Sequence, residues 1–109
     1  MKSILGDIIP GGEVAYNTDI VEVSLPSAGC GDFELLLSVW PDLWGFQGPA
    51  ARVSISASGA RLLEEISKDE IDGYELRNIL VDEDAKRLDI FVTLRILKIR
   101  YEDYTIRKL

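Results

Sequence analysis

Apolar and polar residues alternate along several short segments of the chain, which is the period of a half-buried β-strand. In the first segment valine and leucine share one face while Glu22 and Ser24 occupy the other. Polar or Gly/Pro-containing stretches separate the segments, and the tetrapeptide 83–86 suits a hairpin loop. The pattern predicts strands over residues 20–25, 33–40, 52–57, 74–82 and 87–97, with a brief terminal strand at 104–106.

One segment has helical rather than strand spacing. Leu62, Leu63 and Ile66 form a short apolar stripe, and Ser58 is a residue type that often precedes a helix. Glu64 and Lys68 are four residues apart, which favours an ion pair on a helix surface. These features predict one short helix over about residues 59–68.

The longest predicted strand changes its inward face partway along. Leu88 to Ile96 keep one alternating phase, whereas Leu97 and Ile99 are apolar in the other phase. One inserted residue in a ladder has this effect. The sequence therefore predicts a β-bulge or a change of sheet near Ile96–Leu97.

Together these elements predict an α+β fold that is mainly antiparallel β, with a sheet of about five to six strands and one short helix. Consecutive strands usually lie beside one another, which favours hairpin connections. A length of 109 residues with 47% apolar content fits a single globular domain over residues 1–109.

Composition excludes several kinds of chemistry. The chain has no histidine and a single cysteine, Cys30. Ser–His and Cys–His nucleophile pairs, histidine-containing metal sites and an internal disulfide are therefore impossible within it. The Gly-Cys-Gly triplet lacks the features of a nucleotide-binding loop. We expect no catalytic residue, no cofactor and no metal, and we interpret Cys30 as an incidental loop thiol.

Apolar runs are too short for a membrane-spanning helix, and the first residues lack the apolar core of a secretory signal. With no disulfide framework either, the expectation is a cytoplasmic protein that does not contact membranes.

The net charge of −7 is unevenly distributed. Residues 64–84 contain nine acidic and two basic residues, whereas residues 86–109 contain seven basic and three acidic ones. An acidic chain is a poor nucleic-acid binder, because phosphate recognition needs a basic surface. We expect the basic C-terminal segment to pair with the acidic segment before it across a sheet.

The segment 40–49 concentrates aromatic residues on a Gly/Pro-containing loop. Trp40, Trp44 and Phe46 lie within seven positions, with Asp42 between them. Exposed aromatic residues are typical anchors of protein interfaces, although the same side chains could instead close one end of the core. The sequence leaves both interpretations open.

Two acidic clusters are the other candidates for a binding surface. Neither has the ligand spacing of a calcium loop, so solvated turns or an electrostatic surface for a partner are the remaining interpretations. The clusters are Asp69, Glu70 and Asp72, and then Asp82, Glu83 and Asp84.

These observations predict a non-catalytic protein-binding module that uses an acidic surface to bind a basic partner protein. An immunity-type or adaptor protein would have this character, an analogy of type that rests on size, charge and missing chemistry. One alternative is a small carboxylate-dependent enzyme or ligand-binding domain, with a pocket between sheet and helix. Another is a structural homodimer that pairs through residues 33–40 or 96–101.

Overall fold

A computed structural model describes residues 1–4, 17–26, 30–40, 51–71, 75–93 and 95–109, with the backbone alone at positions 17, 40 and 51. These ranges contain eight β-strands and one 3₁₀ helix. The strands are β1 (Lys2–Ser3), β2 (Asn17–Ser24), β3 (Gly31–Trp40), β4 (Ala51–Leu62), β5 (Leu76–Asp82), β6 (Arg87–Val92), β7 (Ile96–Arg100) and β8 (Asp103–Lys108), and the 3₁₀ helix is Lys68–Glu70.

The strands form one antiparallel sheet in the order β1-β5-β6-β7-β4-β3-β2, and β8 also pairs with β4. An isolated bridge between Asp19 of β2 and Glu75, just before β5, brings distant parts of this order together. The sheet therefore curls around its own inner face.

The inner face is the core. Alternate residues of β3 (Phe33, Leu35 and Leu37) are fully buried, and so are Ile79 and Ile90 of β5 and β6. All the buried apolar side chains of the described residues belong to one cluster. The period-2 alternation in the sequence thus separates this inner face from an outer face of polar side chains.

Strand β4 joins the two halves of the sheet at a corner. It pairs with β7 at Arg61 and Leu62 and with β8 from Val53 to Ser58. The residue numbers of the two partners keep the same sum in both ladders, so β7 and β8 follow β4 without a shift in register across the corner. At the corner Gly59 has a positive φ of 57°. A side chain here would place its Cβ 2.5 Å from Cγ and Cδ of Glu102. Glycine therefore allows the β4 backbone to turn and Glu102 to approach it closely.

The prediction of a mainly antiparallel β protein is confirmed, with eight strands rather than five or six. The helix predicted over 59–68 is wrong, because β4 continues to Leu62 and the nearest helical element is the 3₁₀ turn at Lys68–Glu70. Pairing of Leu62 with Ile99, followed by a hydrogen bond from Leu63 N–H to the Lys98 carbonyl, holds this segment extended. A ladder contact with a buried strand outweighs a narrow apolar stripe.

The change of inward face near Ile96–Leu97 has a different cause from the one predicted. The chain reverses direction between β6 and β7, where Val92 N–H donates to the Arg95 carbonyl at 3.0 Å. The two strands then pair antiparallel, with Ile90 opposite Leu97 and Phe91 opposite Ile96. The predicted bulge is therefore a hairpin, and the change between sheet halves occurs at Gly59 instead.

Candidate protein-binding surfaces

The aromatic loop lies mostly outside the described residues. Asp42, Trp44 and Phe46 fall within 41–50, so their proposed role as anchors stays a prediction. Trp40 ends β3, and its backbone lies opposite Asn17 of β2. Glu34 is six residues earlier on β3, which corresponds to roughly 20 Å of extended strand.

Glu70 is engaged within the protein. Its Oε1 accepts a hydrogen bond from Arg95 Nη1 at 2.5 Å, and its Oε2 accepts one from Ser67 N–H at 2.8 Å. Oε1 thus links the 3₁₀ turn to the β6–β7 connection, and Oε2 caps the turn itself. Asp69 beside it is exposed, and Asp72 lies outside the described residues.

The second predicted cluster forms the turn between β5 and β6. Asp82 is half-buried, and its Oδ1 accepts a hydrogen bond from Ala85 N–H at 3.1 Å. Glu83 and Asp84 are exposed at the tip of the turn. Asp82 therefore shapes the hairpin, while its two neighbours project charge into solvent.

The two predicted clusters do not form one surface. Asp82 to Asp84 precede β6, whereas Glu70 contacts Arg95 beyond the other end of the same strand. Strand β6 has six residues, so these ends are roughly 17 Å apart along it. Strand topology therefore places the two clusters apart, although they lie close together in the sequence.

Three of the seven basic residues in the C-terminal segment 86–109 form ion pairs, all on or beside β6 and β7. Arg95 contacts Glu70, and Lys98 Nζ lies 3.2 Å from Glu64 Oε1. These two pairs join the basic segment to the acidic one, although not strand to strand as predicted, because Glu64 and Glu70 lie outside the strands. Arg87 donates two hydrogen bonds of 2.8 Å to the buried carboxylate of Asp89. The hydrogen bond and negative charge of Asp89 raise the pKa of Arg87. We call this surface the paired face.

A different surface lies outside β2, β3, β4 and β8. The ladder places Ser24, Glu34, Ser56 and Thr105 side by side in one row across the four strands. The next row along contains Ser58 opposite Asp103, close to Asp32. An open groove of about 330 Å³ runs between them. We call the exposed carboxylates of this surface the acidic face; they are Glu22, Asp32, Glu34 and Asp103.

Two serines of β4, Ser56 and Ser58, form the floor of the groove. Ser54, Ser56 and Ser58 are alternate residues of β4, so all three point to the outer face, between β3 and β8. Small hydroxyl side chains leave room above the strand while presenting hydrogen-bonding groups. Glu34 also borders a smaller neighbouring groove of about 250 Å³, with Glu22, Ser24 and Leu36.

The carboxylates of the acidic face lack the partners seen on the paired face. Within the described part of the chain, Glu22, Asp32, Glu34 and Asp103 form no ion pair. Asp103 instead accepts a hydrogen bond from the N–H of Tyr104 at 3.0 Å. Over the same residues no cluster of three or more His, Cys, Asp or Glu side chains could hold a metal ion.

Sequence reasoning did not group these residues as a site, although it placed Glu22 on the outer face of its strand. The alternation in β3 and β4 gives Glu34 and the serines the same outward direction. The missing information was the strand order. Asp103 joins the surface only because β8 pairs with β4, a contact across more than forty residues of chain.

Among the described residues, no helix has the length and apolar character needed to cross a membrane. Comparison of the chain with known protein families, with curated proteins and with solved structures gives no match in any of the three.

Proposed function

We propose that the protein is a non-catalytic binding module whose acidic face binds a basic surface of another protein, in an immunity-type or adaptor role. The observation that carries this proposal is a set of four exposed carboxylates without an ion pair among the described residues: Asp32, Glu34 and Asp103 line one groove, and Glu22 lines the smaller groove beside it. They leave negative charge available to lysine and arginine side chains of a partner.

Electrostatics gives the surface two roles in such binding. A net charge of −7 attracts a basic partner over a distance, which raises the association rate at low salt. At contact, Glu34 and Asp32 would receive charge-assisted hydrogen bonds, while the serine floor would admit the ends of long basic side chains. The exposed Glu83 and Asp84 would strengthen long-range attraction without belonging to the contact surface.

The enzyme alternative expects a pocket between the sheet and a helix over 59–68, whereas residues 59–62 continue β4 and the nearest described helical turn is Lys68–Glu70. Its carboxylates would now have to work in an open groove on the sheet. We therefore favour binding over catalysis, and the proposal assigns no reaction to these residues.

Affinity capture with matched variants tests the function. The immobilised protein is exposed to the soluble proteins of its source cell, and bound proteins are identified at low salt and in about 0.5 M salt, where screening is strong. Glu22→Gln with Glu34→Gln removes two charges from the acidic face. Glu83→Gln with Asp84→Asn removes two charges from the hairpin tip and serves as the control.

We expect a partner that the native protein and the hairpin variant retain at low salt. The acidic-face variant should lose it, and so should high salt. If both variants lose the partner equally, net charge alone would explain the binding and the acidic face would have no specific role. Retention of the partner in high salt would contradict electrostatic recognition.

A further inference from the structure

Strand β8 has one edge that no described strand covers. Its other edge pairs with β4 over six residue pairs, from Val53 opposite Lys108 to Ser58 opposite Asp103. Leu109 N–H donates to the Arg52 carbonyl at 2.9 Å, and this bond identifies which residues of β8 direct their backbone N–H and C=O groups towards β4. The odd-numbered residues of β8 therefore direct their backbone groups towards β4, and the even-numbered ones direct theirs towards the outer edge.

The sequence of β8 is complementary to itself when read antiparallel. With a two-fold axis at Thr105, Asp103 of one copy lies opposite Arg107 of the other, and the two Thr105 residues face each other. Tyr104 then lies opposite Ile106. Charged pairs, Thr–Thr pairs and aromatic–β-branched pairs are each favourable between antiparallel strands.

This register also satisfies the geometry of the strand. Asp103, Thr105 and Arg107 are exposed, whereas Tyr104 and Ile106 are half-buried and pack against the core. A two-fold axis perpendicular to the sheet keeps outer side chains with outer ones and inner with inner. The edge-directed backbone groups of residues 104 and 106 fall opposite one another, as an antiparallel hydrogen-bonded pair requires.

We propose that two copies of the chain associate through β8 in this register, so that the sheet continues from one copy into the other. On pairing, Asp103 releases the N–H of Tyr104 to the Ile106 carbonyl of the second copy and turns to Arg107 of that copy. Two such charged pairs form, one on each side of the axis. The two dimer edges predicted from the sequence, residues 33–40 and 96–101, are already paired within the chain. Strand β3 lies between two strands, and β7 pairs with both β6 and β4.

The expected dimer is weak and reversible. A single six-residue strand pair is a small contact compared with the interfaces of stable dimers, so we expect dissociation constants of about 10 to 100 μM. If Asp103 instead keeps its hydrogen bond to the Tyr104 N–H and so blocks the outer edge of β8, the protein stays monomeric.

Sedimentation equilibrium from 5 μM to 1 mM tests the proposal with a charge swap. Native protein should dimerise over this range. Asp103→Arg and Arg107→Asp should each weaken association about tenfold or more, because both create two like-charged pairs. The double variant Asp103→Arg with Arg107→Asp should recover native association within about threefold, since it restores both pairs in reverse.

Glu65→Arg, an exposed charge reversal away from β8, is the matched control and should leave association unchanged. Circular dichroism and thermal unfolding establish that every variant is folded. A native protein that remains monomeric at 1 mM overturns the proposal. So does unchanged or stronger association of Asp103→Arg, or a double variant that does not recover. The acidic-face test uses Glu22 and Glu34 on other strands, so the two proposals can fail separately.

Discussion

The paired face and the acidic face belong to the same sheet but use their charges in different ways. On the paired face, Arg87, Arg95 and Lys98 each contact a carboxylate, and Asp89 is buried beneath its arginine. On the acidic face, Glu22 and Glu34 are exposed and have no ion pair among the described residues. The first arrangement holds strands and turns together, whereas the second leaves charge available to a partner.

The contrast shows why a charge count along the sequence cannot identify a binding surface. Glu70 and Glu83 both lie in acidic runs, yet Glu70 is held by Arg95 and Ser67 while Glu83 projects into solvent. What distinguishes them is the position of basic residues on neighbouring strands, and that depends on tertiary pairing.

The largest expected difference between the faces is the cost of removing a carboxylate. Asp89→Ala should lower the free energy of unfolding by about 1 to 3 kcal/mol, because it removes a buried, doubly hydrogen-bonded partner of Arg87. Glu34→Ala should change it by less than about 0.5 kcal/mol, as expected of an exposed residue. Urea unfolding measures both. Equal losses would mean that the acidic face is also structural.

The corner that connects the faces should be the next most sensitive point. Gly59→Ala should cost about 1 to 2 kcal/mol, because alanine is strained at a positive φ and its Cβ would displace the Glu102 side chain. Gly59→Asn should cost less, since asparagine tolerates this backbone conformation better. Thermal unfolding of the two variants provides the comparison, and equal stability of Gly59→Ala and the native protein would contradict the described corner.

Tyr101 at the corner gives a prediction about pH. Burial raises the pKa of Tyr101, and the negative charges of Tyr104, Glu83, Asp82 and Asp103 raise it further. The neutral phenol is therefore favoured in the folded state, and its contribution is complete below the unfolded pKa of about 10 and is lost as pH rises through the higher folded value.

The measurement is urea unfolding of the native protein and Tyr101→Phe between pH 7 and pH 11. The stability difference between them should be constant up to about pH 9 and then shift in favour of phenylalanine, which cannot ionise. A difference that stays constant to pH 11 would show that ionisation of Tyr101 is not linked to folding.

A smaller effect concerns uncompensated positive charge near the paired face. Arg100 lies directly opposite Arg61 on one side and Arg87 on the other. Like charges in this position are unfavourable, so Arg100→Thr should raise the free energy of unfolding by about 0.5 kcal/mol at low salt. The gain should shrink in high salt because of screening. A loss of stability would indicate that the arginine stem packs on the sheet more than its charge repels.

Local patterns were enough to predict most of β2, β3, β5 and β6, the first half of β4 and one hairpin, but not β1 or the separation of β7 from β6. Alternation placed Val53 and Ile55 inward, and the polar tetrapeptide at 83–86 is the β5–β6 turn. These features depend on neighbouring residues alone. The reversal after Val92 escaped detection because the residues Thr93, Leu94 and Arg95 contain no Gly, Pro, Asn or Asp to signal a turn.

Non-local pairing explains the remaining errors. The segment around Leu62 was predicted helical because nothing in its own sequence reveals that Ile99 lies beside it. The acidic face was missed for the same reason, since Glu34 and Asp103 become neighbours only through β4. The sequence alone indicated only that Glu22 faces outward, and grouping the acidic-face residues into one site required the strand order.

The central claim is that the acidic face is the binding surface for basic groups. Titration of ¹⁵N-labelled protein with a tetralysine peptide at low ionic strength, followed by two-dimensional NMR, tests it most directly. We expect chemical-shift changes concentrated at Glu22, Asp32, Glu34 and their neighbours, and the variant carrying Glu22→Gln and Glu34→Gln should lose these changes. Changes of equal size at Asp69, Glu83 and Asp84, unaffected by that variant, would contradict it.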